Sequence, residues 1–341
     1  MSEFSKYNLY YKEVYDGEQW SPVTPLEYYG EKIEEESVDC GYEIYRWVWV
    51  EDCCEEDLPS GATIDGNVCD TVMRYSNGTS SGFPMQGEAI QSYFSPYHST
   101  LAAVEFSKCV DSIGDSALNS FSSLTAVTLS DSISGIGEYA FNHDENLRWV
   151  SDGKTVETVG DYAFDNCIRM SRITLGDNVK TIGNAAFNEC HALAAFTIPN
   201  TCTSIGWAAF DHCHALTSMV IPNSVTSIGY NLLSACYSLS SVTIGSGVTA
   251  LKGGTFAGCR KLETVILPTS VTSFEGGDQQ DASGDFAAVG GQTSSGRCTI
   301  RYSGTTAQWN AISKGQYWAE DSNITVICTD GTINYDNNSQ I

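Results

Sequence analysis

The stretch Ile205–Gly229, I-G-W-A-A-F-D-H-C-H-A-L-T-S-M-V-I-P-N-S-V-T-S-I-G, opens and closes on the same dipeptide, 23 residues apart. The pattern recurs without a gap in both directions. Its unit openers are Ile90, Ile113, Ile136, Val159, Ile182, Ile205, Ile228 and Leu251, and Phe274 starts a ninth unit that breaks down. A leucine column (Leu101, Leu124, Leu147, Met170, Leu193, Leu216, Leu239, Leu262) runs through the units. A second column follows three residues on (Val104, Val127, Val150, Ile173, Phe196, Met219, Val242, Val265). A unit of this length cannot bury its own apolar columns, so the units must stack into a solenoid.

Within each unit the segment L-x-x-V-x-I alternates at its end, as a short strand with one buried face does. The opening I-G-x-x-A-F is too short for a stable α-helix and reads as a tight turn or 3₁₀ segment. Strands stacked at roughly 4.8 Å make eight units about 38 Å long, in a parallel sheet with right-handed crossovers. The expected fold class is a leucine-rich-repeat-like solenoid of parallel β-strands and short turns. A small antiparallel β-domain precedes it and a β cap follows. The expected divisions are residues 1–88, 89–274 and 275–341.

The consensus seen most cleanly at 205–229 resembles the BspA-like leucine-rich repeat. The tail from Cys298 to Trp309, followed by Val326–Asp330, is similar to the C-terminal cap that often closes such arrays. The resemblance implies a horseshoe-like binding scaffold. It places the chain beside adhesins of gut and oral bacteria and beside arrays of bacteriophage virion proteins. The family carries no catalytic motif, so no active-site residue is implied.

Composition narrows the partners. The 341 residues are 42% hydrophobic, enough for a sizeable core, and their 42 acidic and 17 basic residues give a net charge of −25. Such a chain repels phosphate backbones and anionic lipid, so neither nucleic acid nor membrane insertion is expected. No run of 18 apolar residues and no basic-then-apolar leader is visible. A missing leader favours a virion component, such as a fibre, receptor-binding or decoration protein, with a bacterial cell-surface adhesin as the alternative. A purely structural spacer is the third reading. Residues 1–88 hold 19 acidic and 5 basic side chains, so more than half of the net charge lies there. Alternating segments such as Tyr7–Val14 and Glu43–Val50 suggest antiparallel strands. This acidic domain is expected to cap the array or join it to a larger assembly, and a homo-oligomer is a further option. Ser76–Gly82 reads as a linker and Glu275–Arg297 as a long loop, whose Asp278, Asp281 and Asp285 do not fit an EF-hand.

Thirteen cysteines invite metal or disulfide readings. Cys167, Cys190, Cys213, Cys236 and Cys259 share one repeat position and are expected to form a structural ladder of buried thiols. Phe121 and Asp144 occupy the same column, which suits no metal array. Cys298 and Cys328 either form a disulfide or simply pack together, and Cys40, Cys53, Cys54 and Cys69 match neither zinc nor redox spacing. Asp211-His212-Cys213-His214, with His191 one unit earlier, suggests zinc. However, Cys213 should face inward and the histidines outward, so no metal and no cofactor is expected. The outward strand positions are mostly Ser, Thr and Ala. The exception is Arg148, Trp149 and Arg172, with Arg169 nearby: hot-spot composition for a protein or cell-surface glycan. Tyr139, Tyr162, Trp207 and Tyr230, on the turn side, form a second candidate interface. No P-loop, G-x-S-x-G, H-E-x-x-H or paired carboxylates are present, so the chain reads as a non-catalytic recognition protein.

Overall fold

The computed structural model describes residues 7–15, 20–22, 27–29, 44–53, 63–64, 70–85, 87–89, 91–275, 286, 296–315, 318–319 and 322–336. Asp278, Asp281, Asp285, Cys40, Cys54 and Cys69 lie outside them. The chain divides into two compact units, residues 1–71 with 82–85, and residues 72–81 with 86–341. In the first, the strand Tyr7–Tyr15 pairs antiparallel with Trp20–Pro22, Glu27–Tyr29 and Ile44–Cys53. The two alternating segments of the sequence are the long partners of this sheet.

The second unit is a parallel β-solenoid in which each repeat contributes to two sheets. The L-x-x-V-x-I segments form the long-strand sheet: Leu101–Glu105, Ala126–Thr128, Trp149–Gly153 and Arg172–Leu175, then Ser218–Ile221, Ser241–Ile244 and Thr264–Leu267. Register is exact to the repeat, with Ala103, Ala126, Trp149 and Arg172 side by side. The dipeptide before each glycine forms a narrower sheet, from Val110–Ile113 through Gly135–Ile136, Thr158–Val159, Thr181–Ile182 and Ser204–Ile205 to Ser227–Ile228. The long-strand sheet is interrupted in the unit opened by Ile182. Phe196 stands there in place of the usual smaller residue, its ring inserted 4.9 Å from Phe187 and 5.0 Å from Phe210. The strand that carries Asp152 meets an Asp-Gly pair, which ordinarily makes a turn. It instead continues through a bulge. Asp152 takes a left-handed φ of 64° and turns its carboxylate to solvent, and Gly153 pairs with Leu175. A Cβ on Gly153 would lie 2.8 Å from Leu175 Cδ2 and 3.1 Å from Leu129 Cδ1, so a side chain there would have to displace those leucine methyls.

The I-G-x-x-A-F run is a tight turn with an unusual rhythm. In seven successive units its fourth and eighth residues have positive φ: Ser116 and Ser120, Tyr139 and His143, Tyr162 and Asn166, Ala185 and Glu189, Ala208 and His212, Asn231 and Ala235, Gly254 and Gly258. With these left-handed residues four apart, every second N–H of the run faces the next unit. Thus Tyr139, Phe141 and His143 donate to the carbonyls of Asp161, Ala163 and Asp165, and Tyr162, Phe164 and Asn166 donate to those of Asn184, Ala186 and Asn188. The glycine after each opener has a different cause. At Gly183 a Cβ would fall 2.5 Å from Asp161 Oδ1 and 2.6 Å from the backbone of Gly160, so coil-to-coil contact excludes any side chain.

Inside, Phe141, Phe164, Phe187 and Phe210 are fully buried and stack at 5.0, 5.3 and 5.3 Å with nearly parallel planes. The ends are closed by different means. In the first repeat a helix (Gln91–Phe94) and a 3₁₀ turn (Ser95–Tyr97) replace the left-handed run. The strand Asp70–Tyr75 pairs antiparallel with Leu101–Glu105 and extends the long-strand sheet, with Ser80–Pro84 as its edge. Ser76–Gly82 is therefore not a free linker. Its start is a hairpin turn in which Tyr75 N–H donates to Thr79 O and Thr79 donates twice to Asn77 Oδ1. At the other end Cys298–Tyr302 and Ile324–Ile327 extend the parallel stack, and Thr332–Tyr335 turns back antiparallel. The helix Thr306–Ala311 between them carries a Thr305/Gln308 capping box and buries Trp309 completely. No described helix is long and apolar enough to cross a membrane.

Candidate recognition surfaces of the array

The cysteine column faces inward. Cys167, Cys190, Cys213, Cys236 and Cys259 are buried free thiols, and each Sγ–H donates to a carbonyl of the preceding unit: Phe141, Phe164, Phe187, Phe210 and Leu233, at 3.0–3.3 Å. Burial pushes the thiols of Cys167, Cys190, Cys213 and Cys236 well up, so they are neither nucleophiles nor ready metal ligands. Asp144 fills the same position one unit before Cys167. Its Oδ1 accepts the Phe121 N–H at 2.6 Å, its Oδ2 is buried without a partner, and desolvation raises its carboxyl well above the ordinary range. Cys298 and Cys328 are separate free thiols, not a disulfide pair. Cys298 lies opposite Ile324, and Cys328 is four residues farther along that chain, about 13 Å away at strand rise. A disulfide needs Cα atoms within about 7 Å. Burial carries the Cys298 thiol up to about 12. Cys109, which the sequence did not single out, is disulfide-bonded.

The histidines gather more closely than the sequence suggested, though without Cys213. His191 and His214 stack at 4.1 Å, His214 stacks on Tyr237 at 4.6 Å, and His212 meets His214 edge-on at 5.7 Å. Glu189 Oε2 lies 2.5 Å from His191 Nε2, and Asp211 Oδ1 lies 3.0 Å from His212 Nδ1. Burial, then His191 and His212, lower the pKa of His214. Stacked rings send their in-plane lone pairs along parallel lines that do not converge. Among the described residues no group of three or more His, Cys, Asp or Glu is placed to hold a metal.

On the long-strand sheet Trp149 is 42% exposed, with Arg172 its register partner and Arg148 its chain neighbour. Arg169 is held at the turn by its Nη1 hydrogen bond to Asn146 Oδ1 at 2.7 Å. No basic group among the described residues covers the Trp149 ring with a cation–π contact. Beyond the interruption at the Ile182 unit, the long strands expose Val220, Ile266 and Ile327, an apolar run that sequence reading passed over as part of a quiet surface.

The turn-side aromatics form a row in which the first three rings touch. Tyr139 and Tyr162 stack at 4.9 Å with planes 4° apart. Trp207 reaches back across the unit that has Ala185 at the tyrosine position and meets Tyr162 edge-on at 5.7 Å. Tyr230 follows, with Lys252 Nζ 5.8 Å from its ring centre. Tyr139, Trp207 and Tyr230 are 39–47% exposed. Burial, Tyr139, Asp165 and Asp161 together raise the pKa of the Tyr162 phenol.

These repeats match the family described as BspA type Leucine rich repeat region, in six copies over residues 69–194 and 157–277. Among solved structures, the leucine rich repeat protein of T. pallidum is 30% identical, covering 48% of this chain and 68% of that one, with a TM-score of 0.37. A leucine rich cell surface protein from Faecalibacterium prausnitzii is 23% identical over 76% of this chain and 98% of its own, with a TM-score of 0.27. A leucine-rich repeat protein from Bacteroides ovatus is 15% identical over 75% and 90%, with a TM-score of 0.34. Comparison with curated protein sequences gives no significant match. With its repeats matched over more than half its length, the chain belongs to the BspA type leucine-rich repeat family.

Proposed function

We propose that this is a non-catalytic recognition protein of the surface-adhesin type, which presents its solenoid to a protein or a cell-surface glycan. Family membership supports the general reading. The observation that carries it to a site is the pairing of exposed Trp149 with Arg172, in register on the long-strand sheet with Arg148 beside them. A large ring among guanidinium groups can stack on a sugar or grip an acidic loop, and such positions dominate binding energy. The N-terminal unit is proposed as the attachment to a larger assembly. The setting is proposed as a bacterial cell surface. The family match and the structures compared give no support to a virion, so that setting is not carried forward.

The test is binding of the full chain to whole cells and to immobilised glycans, beside a Trp149→Ala, Arg172→Ala double variant. Loss of at least about tenfold in affinity is expected, the size of one to two hot-spot contacts. Equal binding by the variant removes this patch from the site. Light scattering on the intact chain tests self-association, and a strict monomer at high concentration counts against a homo-oligomer.

A further inference from the structure

We propose that the aromatic row borders a second, separate binding site: a furrow along the narrow sheet that takes an uncharged linear glycan. The furrow holds about 360 Å³ and runs over three units. Its floor is the backbone of Gly160, Gly183 and Gly206. One wall is the column of Thr158, Thr181 and Ser204, and the other holds Glu138, Asp161 and Asn184. The second wall continues into Trp207, which takes the third position of its unit, where the preceding units have Glu138, Asp161 and Asn184.

The state of the polar groups selects the ligand. Along the neighbouring column, hydroxyls are already used: Thr203 donates to Lys180 O and Thr226 to Thr203 O. The hydroxyls of Thr158, Thr181 and Ser204 have no partner within the chain among the described residues, and Thr158 and Thr181 are exposed. The Glu138 carboxylate is exposed as well. The floor, in contrast, offers no backbone donors. Gly160, Gly183 and Gly206 N–H groups donate to Ile136, Val159 and Ile182 carbonyls, each at 2.8 Å. A peptide adding itself as a strand would need those groups. The remaining offer is a line of hydroxyls and a carboxylate, repeated at the spacing of stacked strands, roughly 4.8 Å, beside exposed rings. That combination suits the hydroxyl edges and C–H faces of successive sugar rings. No Lys or Arg lines the furrow, and Glu138 and Asp161 repel uronate, sulfate or sialate groups.

The proposal rests on the reading of the solenoid as a recognition element, but not on the Trp149 patch. Its test is titration of the full chain with cellohexaose, xylohexaose, maltohexaose and chitohexaose, with a heparin hexasaccharide as the anionic probe. Binding of at least one neutral hexasaccharide is expected. Trp207→Ala should weaken it by tenfold or more, and Thr181→Val, which keeps shape and removes one hydroxyl, by about fivefold. Thermal melting monitors the fold, and if Trp207→Ala melts early, Thr181→Val alone decides. Binding of the heparin probe alone overturns the furrow, as does neutral-glycan binding that both variants retain unchanged. Cell binding that survives in a chain blind to every neutral hexasaccharide also overturns the furrow, while leaving the recognition reading standing.

Discussion

Asp144 shows what one departure from a repeat column does. The five cysteines that follow it bring a neutral donor to the preceding coil, whereas Asp144 brings a carboxyl whose second oxygen has no partner. Desolvation raises its folded pKa above the unfolded value of about 3.9. The fold therefore gains most from Asp144 below that pH, where both states are protonated. The gain is lost as pH rises toward the folded value, because only the unfolded chain ionises. Asp144→Asn keeps an acceptor for the Phe121 N–H and removes the ionisation. At pH 7 it should stabilise the protein by about 1–2 kcal/mol, with the difference vanishing near pH 4, as read from denaturant midpoints across pH. The thiols below it should behave as core atoms. Alkylation mapped by mass spectrometry should leave Cys167, Cys190, Cys213, Cys236 and Cys259 unmodified in the native protein and modify all five after unfolding. Modification of any of them in the native state contradicts the inward ladder.

At the scale of the coil, contact between backbones decides more than side-chain packing. Gly183→Ala places a methyl against the Asp161 carboxylate and, at 2.6 Å, against the backbone of both Asp161 and Gly160, which cannot swing aside. We expect a loss of about 3 kcal/mol, in the upper range for overpacking, measured by urea denaturation. The same change at Gly296, where a Cβ meets nothing within 4 Å and only the φ of 64° is strained, should cost less. Much of this element was legible in the sequence, because the Leu, Val and Phe columns repeat with the period of the coil and burial follows the columns. Two features were not. The left-handed residues fall on Tyr139, His143, Glu189 and Ala208 as well as on glycine, so no residue type marks them. The Asp152 bulge shifts register without changing the 23-residue count, so the spacing stays silent. At the sites, residue type named the exposed rings and the arginines. The free hydroxyls of Thr158, Thr181 and Ser204 differ from their bonded neighbours only in direction, which a string of Thr and Ser cannot encode.

For the whole solenoid, stability should be local, since each coil touches only its neighbours. Trp309 ties the end together: it packs on Phe274, Tyr302 and Trp318, and its Nε1 donates to Tyr335 Oη at 2.9 Å. Trp309→Ala should cost about 3–5 kcal/mol. Hydrogen exchange should accelerate across 251–336 while 113–175 keep their protection. Uniform acceleration along the array would mean that it unfolds as one block. The turn ladder has an effect on this scale too. Its N–H groups point toward the C-terminal end and its carbonyls toward the N-terminal end, so the peptide dipoles add along this ladder, opposite to the glycine N–H groups of the narrow sheet, which donate toward the N-terminal end. Two like ends would set donors against donors or acceptors against acceptors. A second copy could therefore continue this one ladder only tail to head. That geometry has no two-fold axis and propagates into open filaments rather than closing as a dimer. The helical turn Gln91–Tyr97 sits at the acceptor end of this ladder, where it replaces the left-handed run. The ladder therefore ends at the unit opened by Ile113, and no left-handed run carries it into the first repeat.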